Sequence, residues 1–429
     1  MYPDLRRAVY RIPLYLLAGN RKVPRKIQNG TIRANEQMET LLKSDHDNPR
    51  MLFRYGEKLG FPMYGNTAAR YYPSGEAWFT DFLDDLKGAK HFIFMEFFII
   101  DTGTCLNEVL EVLHQKVKEG VEVKLIYDDF GCVTLPERVR KDMIRGGIEV
   151  HRFNRLRPAF IIQMNNRDHR KFTVIDNRIG YCGGVNLADE YLNRITRFGY
   201  WKDSALRLEG EAVWSLTVMF LGMLMYERGV DRLDFSKYHL PIETAPAPGY
   251  YQPFSDSPTD SETFSLNAHL NLIAAARKYL YIDTPYLIPN EPVRAALCLA
   301  AKNGVDVRIL VPGIADKKIV NQITKANYEE LVKSGVRIYE FTKGFNHAKN
   351  FVVDDRFALV GSVNMDYRSY FLHFEGGVLM EDSPVIADMK QDFLQAISDS
   401  REITEEELEK IKLPVRLVRA VLNMFIPLV

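Results

Sequence analysis

The sequence predicts an α/β fold made of two copies of one module. Three observations lead to this prediction: the chain is long enough for two modules, several segments recur in the same order, and each copy alternates helix and strand patterns. The chain has 429 residues, of which 46% are hydrophobic and 26% are charged, as in folded globular proteins. We therefore expect two mixed β-sheet modules, each flanked by helices.

Four segments of the first half recur in the second half. Residues 120–126, Gly-Val-Glu-Val-Lys-Leu-Ile, match residues 304–310, Gly-Val-Asp-Val-Arg-Ile-Leu. The other matching pairs begin at Gly146 and Ser334, at His169 and His347, and at Gly183 and Gly361. Their order is the same in both copies and their spacing is nearly constant, which indicates an internal duplication rather than chance matches.

Each copy contains a helix pattern followed by a strand pattern. A helix is predicted over Leu106–Glu119, ended by Gly120, with a strand over Val121–Tyr127 after it. The apolar face of this helix consists of Leu106, Val109, Leu110, Leu113 and Val117. The second copy repeats the order with a helix over Val293–Lys302 and a strand over Val305–Val311.

The remaining segments give the expected domain organisation. Residues 1–49 form an N-terminal membrane-proximal segment, 50–235 the first module, 236–262 a Pro-rich linker, 263–401 the second module and 402–429 a C-terminal amphipathic tail. No window of 18 apolar residues predicts a membrane-spanning helix. The longest apolar stretch, Ala212–Tyr226, is interrupted by polar residues and is predicted to be a buried core helix.

Charge and cysteine content argue against several classes of protein. Lys plus Arg and Asp plus Glu each number 56, so the formal net charge is zero, and the basic surplus typical of a nucleic-acid-binding protein is absent. The four cysteines lie far apart and form no metal-binding pattern. We expect neither a nucleic-acid partner nor a cofactor, and the sequence predicts no oligomeric state.

The pattern His-x-Lys-x4-Asp occurs once in each copy. Its residues are His169, Lys171 and Asp176 in the first copy and His347, Lys349 and Asp354 in the second. Each pattern begins an apolar strand, on which residues two apart share a face. Packing the two modules together would bring both His/Lys pairs into one cleft, which predicts a single active site between the modules.

This set of side chains suits phosphodiester chemistry. A neutral imidazole can attack phosphorus, and a protonated one can give a proton to the leaving alcohol. The two lysines, with the amides of Asn186 and Asn364, would bind the phosphate oxygens of the transition state. Because the lysines and imidazoles already supply positive charge, we expect no catalytic metal.

Each copy contains two carboxylates for which the sequence predicts different roles. Asp176 and Asp354 complete the motif and are candidates for the catalytic set, but their odd spacing from the histidines places them on the opposite strand face. A structural role at the strand end is therefore favoured, with direct contact with the chemistry as the alternative. Asp203 and Glu375 begin the next strand of each copy at corresponding positions. We expect these two acids to orient the imidazoles through the second ring nitrogen.

The doubled motif, with Gly183-Gly-Val-Asn186 and Gly361-Ser-Val-Asn364, resembles the phospholipase D superfamily over about residues 50–400. Finer stretches are similar to bacterial cardiolipin synthases: His169–Lys171 with Gly183–Tyr191, Tyr127–Gly131, Thr284–Pro289 and Asn364–Ser369. The resemblance implies a duplicated phospholipase D fold, a phosphohistidine on His169 and proton donation by His347. It also supports Asp203 and Glu375 as the imidazole partners.

Two features depart from that family. Its members usually begin with two transmembrane helices, whereas this chain opens at Met1-Tyr2-Pro3, which implies either a peripheral protein or an N-terminal anchor that would precede this sequence. His373 also stands where the family more often has Asn. Both ends of the chain, Arg6–Lys26 and Lys412–Val429, combine apolar and basic residues without acids, which suits an anionic membrane surface.

The resemblance implies a bacterial cell-membrane enzyme that joins two phosphatidylglycerol molecules to give cardiolipin and glycerol. A water-accepting phospholipase D and another phosphatidyltransferase remain alternatives. A nucleic-acid phosphodiesterase is disfavoured by the zero net charge. An inactive scaffold is disfavoured because both motifs keep their histidine and lysine.

Overall fold

The computed structural model describes residues 23, 25–42, 50–155, 165–242, 246–260 and 262–423. Its strands are β1 (Thr67–Tyr72), β2 (Phe92–Phe97), β3 (Glu122–Asp128), β4 (Glu149–Phe153), β5 (Phe172–Ile175), β6 (Ile179–Gly183), β7 (Tyr200–Lys202), β8 (Ala205–Gly210), β9 (Tyr250–Asp256), β10 (Tyr279–Asp283), β11 (Asp306–Pro312), β12 (Arg337–Phe341), β13 (Gly344–Asn346), β14 (Asn350–Val353), β15 (Phe357–Gly361), β16 (Glu375–Glu381) and β17 (Ser400–Glu402).

The helices alternate with these strands. They are α1 (Arg25–Leu41), α2 (Arg54–Lys58), α3 (Gly75–Gly88), α4 (Thr104–Lys118), α5 (Glu137–Arg145), α6 (Val213–Arg228), α7 (Phe264–Ala275), α8 (Glu291–Lys302), α9 (Lys318–Ala326), α10 (Tyr328–Lys333), α11 (Tyr367–Phe371), α12 (Val385–Ser398), α13 (Glu405–Glu409) and α14 (Leu413–Asn423), with 3-10 turns at Asp189–Leu192 and Ser236–Tyr238.

The two sheets have the same topology. The first runs β1-β8-β6-β5-β2-β3-β4, and the second runs β9-β16-β15-β14-β10-β11-β12-β17. In each sheet three strands are parallel, β2-β3-β4 and β10-β11-β12, and the strands beyond them pair antiparallel. The strand β17 is an addition to the second sheet. The predicted duplicated α/β fold is confirmed.

The predicted helices and strands form close to their expected bounds. In α4 the side chains of Leu106, Val109 and Leu113 are buried, which confirms the predicted apolar face. The helices α3 and α8 begin where Ser74 and Asn290 accept hydrogen bonds from amides of the first turn, at 3.2 Å in both cases.

The structure corrects the predicted linker. Residues 250–256 form β9, which pairs with β16 at the edge of the second sheet, so this part of 236–262 belongs to the second module. The prolines of the segment suggested a loop because proline cannot donate a backbone hydrogen bond. Pro253 lies in β9 itself, and an edge strand tolerates proline because one side of it has no neighbouring strand.

The apolar stretch near the middle of the chain is a buried helix. Almost every side chain of α6 is buried, which confirms the predicted core helix. Part of the expected N-terminal segment also folds onto the first module, because α1 packs against α6 where a Cβ at Gly222 would lie 2.6 Å from the sulfur of Met38. Among the residues that the structure describes, no helix is long and apolar enough to cross a membrane.

Two short backbone pairings join the modules at their centre. The strand β7 of the first module pairs in parallel with β13 of the second. At the equivalent place on the other side, Asp168 forms a parallel bridge with Phe374. The amide of His169 donates to the carbonyl of Phe374 at 2.9 Å, and the amide of His347 donates to the carbonyl of Lys202 at 2.6 Å. Each pairing therefore leads one motif histidine directly into the interface.

Candidate active site

The two motifs lie at the interface between the modules. Each His and Lys occupies an extended segment immediately before β5 or β14, rather than the strand itself as the sequence suggested. Both histidine side chains are 9% exposed, so each imidazole is enclosed but still reaches the cleft. The interface pairings are equivalent in the two modules, and they give the cleft approximate twofold symmetry.

The histidine of the first module is oriented by an acid of the second. Nδ1 of His169 lies 3.1 Å from both carboxylate oxygens of Glu375. The hydroxyl of Ser362 donates to the same carboxylate at 2.5 Å. Because Glu375 is the residue after Phe374, the bridge from Phe374 to Asp168 places the acid beside the imidazole.

The histidine of the second module is oriented by an acid of the first. Nδ1 of His347 lies 2.6 Å from Oδ2 of Asp203, and the Ser204 amide donates to Oδ1 at 2.8 Å. Both acids that the sequence selected thus contact a motif histidine. Each contacts the histidine of the opposite module, although the sequence placed each acid after the histidine of its own copy.

The surroundings of the two acids are similar but not identical. Trp201 and His373 both stand two residues before their acid, with Nε1 of Trp201 at 3.4 Å from Asp203 and Nδ1 of His373 at 3.6 Å from Glu375. The first module has Gly184 where the second has Ser362. A Cβ at Gly184 would lie 2.0 Å from Asp203, so the close approach of this acid requires glycine in the first module. At the same position of the second module, Ser362 hydrogen-bonds the acid instead.

The second ring nitrogen of each histidine faces the cleft. Within the part of the chain that the structure describes, no protein group hydrogen-bonds Nε2 of His169 or His347. The His169 ring packs edge-on against Phe98 at 4.9 Å between centroids, and the His347 ring lies 5.6 Å from that of Tyr191. The rings are therefore fixed while one nitrogen of each remains available for chemistry.

Two buried lysines supply positive charge to the cleft. Each ammonium group donates to the backbone carbonyl of its motif histidine. Burial, together with repulsion from Lys349, lowers the pKa of Lys171 to about 7, although Glu375 acts in the opposite direction. Burial lowers the pKa of Lys349 to about 8. An anion in the cleft would stabilise both charged forms.

The same environment disfavours imidazolium. Burial, Lys171 and Lys349 lower the pKa of His169 well below its ordinary value. Burial and Lys349 lower the pKa of His347 to about 4, against the opposing effect of Asp203. Burial alone would raise the pKa of Asp203, but His347 and Lys349 lower it overall. The empty cleft therefore favours the neutral form of both rings.

The two predicted phosphate-binding asparagines differ in environment. The Asn186 carbonyl oxygen accepts from the Ile99 amide at 2.9 Å, and its amide group donates to the Tyr191 hydroxyl at 2.8 Å. Asn186 therefore fixes the position of Tyr191, whose ring lies next to His347. The buried Oδ1 of Asn364 has no hydrogen-bond partner among the described residues. Their contact with phosphate stays a prediction.

The motif aspartates lie at the other ends of the strands. Asp176 accepts from the amides of Lys90, His91 and Phe92 at 2.7–2.8 Å. Asp354 accepts in the same way from the amides of Arg277, Lys278 and Tyr279 at 2.6–2.8 Å. The structure does not bring these aspartates to the imidazoles, and their contacts match the structural role favoured by their spacing.

Sequence reasoning missed two further buried acids. Asp128, at the end of β3, accepts from the Asp168 amide at 2.9 Å and so fixes the segment that precedes His169. Asp283, at the carboxyl end of β10, accepts from the Asn346 side chain at 3.1 Å, next to His347. A polar residue at the end of an otherwise apolar strand was the available signal.

Three possible metal ligands, one of them a motif histidine, meet in the cleft. His169, His373 and Glu375 offer donor atoms within 4.8 Å of one another. Nε of Arg368 lies 3.3 Å from Nε2 of His373, and because an arginine can only donate, this contact places the His373 proton on Nδ1, facing Glu375. A metal ligand would need a lone pair at Nδ1, so this tautomer of His373 does not suit a metal site.

Comparison with known proteins agrees with this geometry. The family described as "Cardiolipin synthase, PLD-like domain" matches residues 82–197 and 269–397. Cardiolipin synthase 2 of Bacillus anthracis is 35% identical over 398 residues, covering 92% of this chain and 77% of that protein. Cardiolipin synthase of Staphylococcus aureus is 31% identical over 432 residues, covering 97% and 87%.

A solved structure supports the fold. Phosphatidylserine synthase of Haemophilus influenzae superposes with a TM-score of 0.64 over 93% of this chain and 99% of that one, at 16% sequence identity. A fold with two motif histidines in one cleft defines a phospholipase D-type enzyme. The chain belongs to the cardiolipin synthase family of the phospholipase D superfamily. The family and fold that the sequence predicted are confirmed.

Proposed function

We propose that this protein transfers a phosphatidyl group from one phosphatidylglycerol molecule to another, giving cardiolipin and glycerol. The observation that carries the proposal is the pair of imidazoles in one cleft, each oriented at Nδ1 by a carboxylate and each open at Nε2. The names of the relatives support the same reaction.

In the first half-reaction, Nε2 of His169 attacks the phosphorus of the donor lipid. The bond between phosphorus and the glycerol head-group oxygen breaks, and His347 gives that oxygen a proton as glycerol leaves. Glu375 accepts the Nδ1–H bond of His169, which stabilises the positive charge that the attacking ring acquires. Lys171 and Lys349 face the negative charge on the phosphate oxygens.

The second half-reaction reverses these roles. His347, now neutral, takes a proton from a glycerol hydroxyl of the second phosphatidylglycerol, and the resulting oxygen attacks phosphorus. The bond between phosphorus and His169 breaks, which frees cardiolipin and restores the enzyme. Since His347 has a pKa of about 4 in the empty cleft, the bound phosphate anion must raise it before the imidazole can act as an acid.

The proposal places the protein at a bacterial cell membrane, because both substrates are lipids. The apolar and basic N-terminal stretch Arg6–Lys26, which the sequence assigned to the membrane surface, lies almost entirely outside the described residues. The C-terminal stretch is described as far as Asn423, and it forms the helix α14.

Product analysis tests the proposed reaction. The purified protein is incubated with vesicles of phosphatidylglycerol, and the lipids are separated and identified by mass spectrometry. We expect cardiolipin and free glycerol in equal amounts, with no product from His169→Ala protein. Phosphatidic acid as the only lipid product would identify water as the acceptor and would replace the synthase with a phospholipase D.

A further inference from the structure

The C-terminal helix α14 presents an apolar face to solvent. Leu417, Val418 and Val421 are 58%, 56% and 53% exposed, and Leu413 at the start of the helix is exposed as well. These residues recur three and four positions apart, so they lie on one side of the helix. An amphipathic helix normally buries this side against its own domain, so its exposure needs an explanation.

The opposite side of the same helix attaches it to the second module. Arg419 donates to the Gln322 side chain at 3.1 Å, and Arg416 donates to the Leu408 carbonyl at 2.9 Å. Leu422 packs on the apolar cluster of Ile288 and Ile323. Arg416, Arg419 and Leu422 thus face the protein, and the exposed apolar residues lie on the other side, which fixes the direction of the exposed face.

This helix lies close to the entrance of the cleft. Tyr286 packs against the cluster that receives Leu422 and also against the core that contains Tyr191, whose ring contacts His347. Lys317, which precedes α9, donates to the Tyr286 hydroxyl at 3.4 Å and acts electrostatically on His169. Side-chain contacts through the Ile288 cluster and Tyr286 therefore lead from α14 toward the active site.

Exposed lysines stand beside this face, and two acids lie nearby: Asp316, 3.7 Å from Lys317, and Glu329, 3.7 Å from Arg416 on the inner side of α14. Lys317, Lys318 and Lys412 are exposed, and α14 itself contains no acidic residue. The exposed Ile319 adds apolar surface to α9, against which α14 packs. The acidic helix α13 packs on α10 and touches the inner side of α14, where Arg416 donates to the carbonyls of Leu408 and Glu409. Exposed cations beside apolar side chains suit a bilayer that carries anionic lipid.

We propose that α14 and the start of α9 form a docking face, defined by Leu413, Leu417, Val418, Val421, Ile319, Lys317 and Lys318, that inserts into the surface of an anionic phospholipid bilayer. The face turns the entrance of the cleft toward the lipid head groups, so diacyl substrates reach the histidines without crossing water. The proposal rests on the proposed function, since it assigns the membrane as the source of substrate, and its test measures binding separately from catalysis.

Vesicle flotation with Leu417→Glu/Val421→Glu protein provides the test. We expect at least about tenfold weaker binding to phosphatidylglycerol vesicles than for the unaltered protein, because two charges replace buried apolar area in the bound state. Activity on those vesicles should fall in parallel. Activity on dissolved short-chain phosphatidylglycerol should change by less than about twofold, because the active-site residues are unaltered.

Met51→Glu is the matched control. Met51 is 72% exposed and lies near Phe357, at the end of the second sheet away from the histidines, so this charge should leave vesicle binding unchanged.

A polarity-sensitive dye attached at Val418→Cys gives a second measurement, and its emission should shift to the blue when vesicles are added. The proposal is overturned if the double variant binds vesicles like the unaltered protein, if the dye stays in water, or if the variant instead converts a dimer to a monomer. If the unaltered protein has no activity on short-chain phosphatidylglycerol, that result would instead count against the proposed function.

Discussion

At the scale of single residues, the crossed pairing divides the reaction between two acids. Asp203→Asn should affect the step that needs the His347 proton, whereas Glu375→Gln should affect attack by His169. We expect each to lower kcat/KM on phosphatidylglycerol by about a hundredfold or more. With phosphatidyl-p-nitrophenol, whose leaving group needs no proton, Asp203→Asn should recover most of its activity and Glu375→Gln should not.

The measurement is kcat/KM for both donors with both variants. Recovery of Glu375→Gln alone would reverse the roles of the two histidines. Equal recovery of both variants would show that the carboxylates do not act on separate steps.

Protonation of the cleft gives a second prediction at this scale. The pKa values of His347, Lys171 and Lys349 are lowered to about 4, 7 and 8, so at pH 7.5 the empty site lacks protons that the reaction needs. An anionic phosphodiester raises these pKa values. Binding should therefore take up protons, and affinity should weaken as pH rises.

Calorimetry of short-chain phosphatidylglycerol binding to His169→Asn protein, in two buffers of different ionisation enthalpy, counts these protons. We expect uptake of about one or more per site at pH 7.5, and less when His347→Asn is added. Release of protons, or no difference between the buffers, would contradict the assigned charge states.

The sequence identified the residues of the site but not their partners. The two motifs, Asp203 and Glu375 could be selected because each occupies the same place in both copies. Which acid meets which histidine depends on the packing of residues separated by 206 and 144 positions, and no local pattern records it. His373 was noted in the sequence only as a departure from the family, and its equivalence to Trp201 was not predicted because tryptophan and histidine do not look equivalent in sequence.

At the scale of strands and helices, the motif aspartates act as caps for strand starts. Asp354 accepts from three consecutive amides before and within β10, and it lies in the left-handed region with φ of 55°. Asp354→Ala should lower the free energy of unfolding by about 1–3 kcal/mol, because three backbone amides lose their acceptor at once. Asp354→Asn should cost less, since asparagine tolerates this conformation and retains an oxygen.

Denaturant unfolding and kcat/KM of the folded fraction check this prediction together. Activity per folded molecule should fall far less than in His347→Ala protein. A loss of activity without a loss of stability would instead give Asp354 a direct part in the chemistry.

The helices and inner strands were predictable because their periodicity and glycine stops are local signals. The edge strand β9 could not be predicted in this way, because its proline and polar neighbours are typical of a loop. Its strand conformation depends on backbone pairing with β16, which the local sequence does not indicate. That α1 belongs to the first module could not be predicted for a similar reason. Its sequence is mostly polar, and only its packing on α6 shows where the helix lies.

At the scale of the whole molecule, the active site exists only while the modules keep their register. Gly344 of β13 touches the backbone of Tyr200, and a Cβ there would lie 2.1 Å from the Tyr200 carbonyl oxygen. Gly344→Ala should separate β13 from β7 and displace His347, lowering kcat/KM at least about tenfold and the free energy of unfolding by about 1–3 kcal/mol.

Gly88→Ala is the matched control, because a Cβ at Gly88 would meet no atom within 4 Å. It should leave activity and unfolding unchanged. If Gly344→Ala resembles this control in both measurements, the short pairing between the modules does not position the histidine.

The central claim is that one cleft, built by both modules, catalyses transfer through a covalent intermediate on His169. Peptide mapping by mass spectrometry after an alkaline quench of wild-type protein with short-chain phosphatidylglycerol tests it most directly. We predict a phosphatidyl adduct on the peptide that contains His169, absent from His169→Ala protein. An adduct on the peptide that contains His347, or cardiolipin formation without any adduct, would contradict the account.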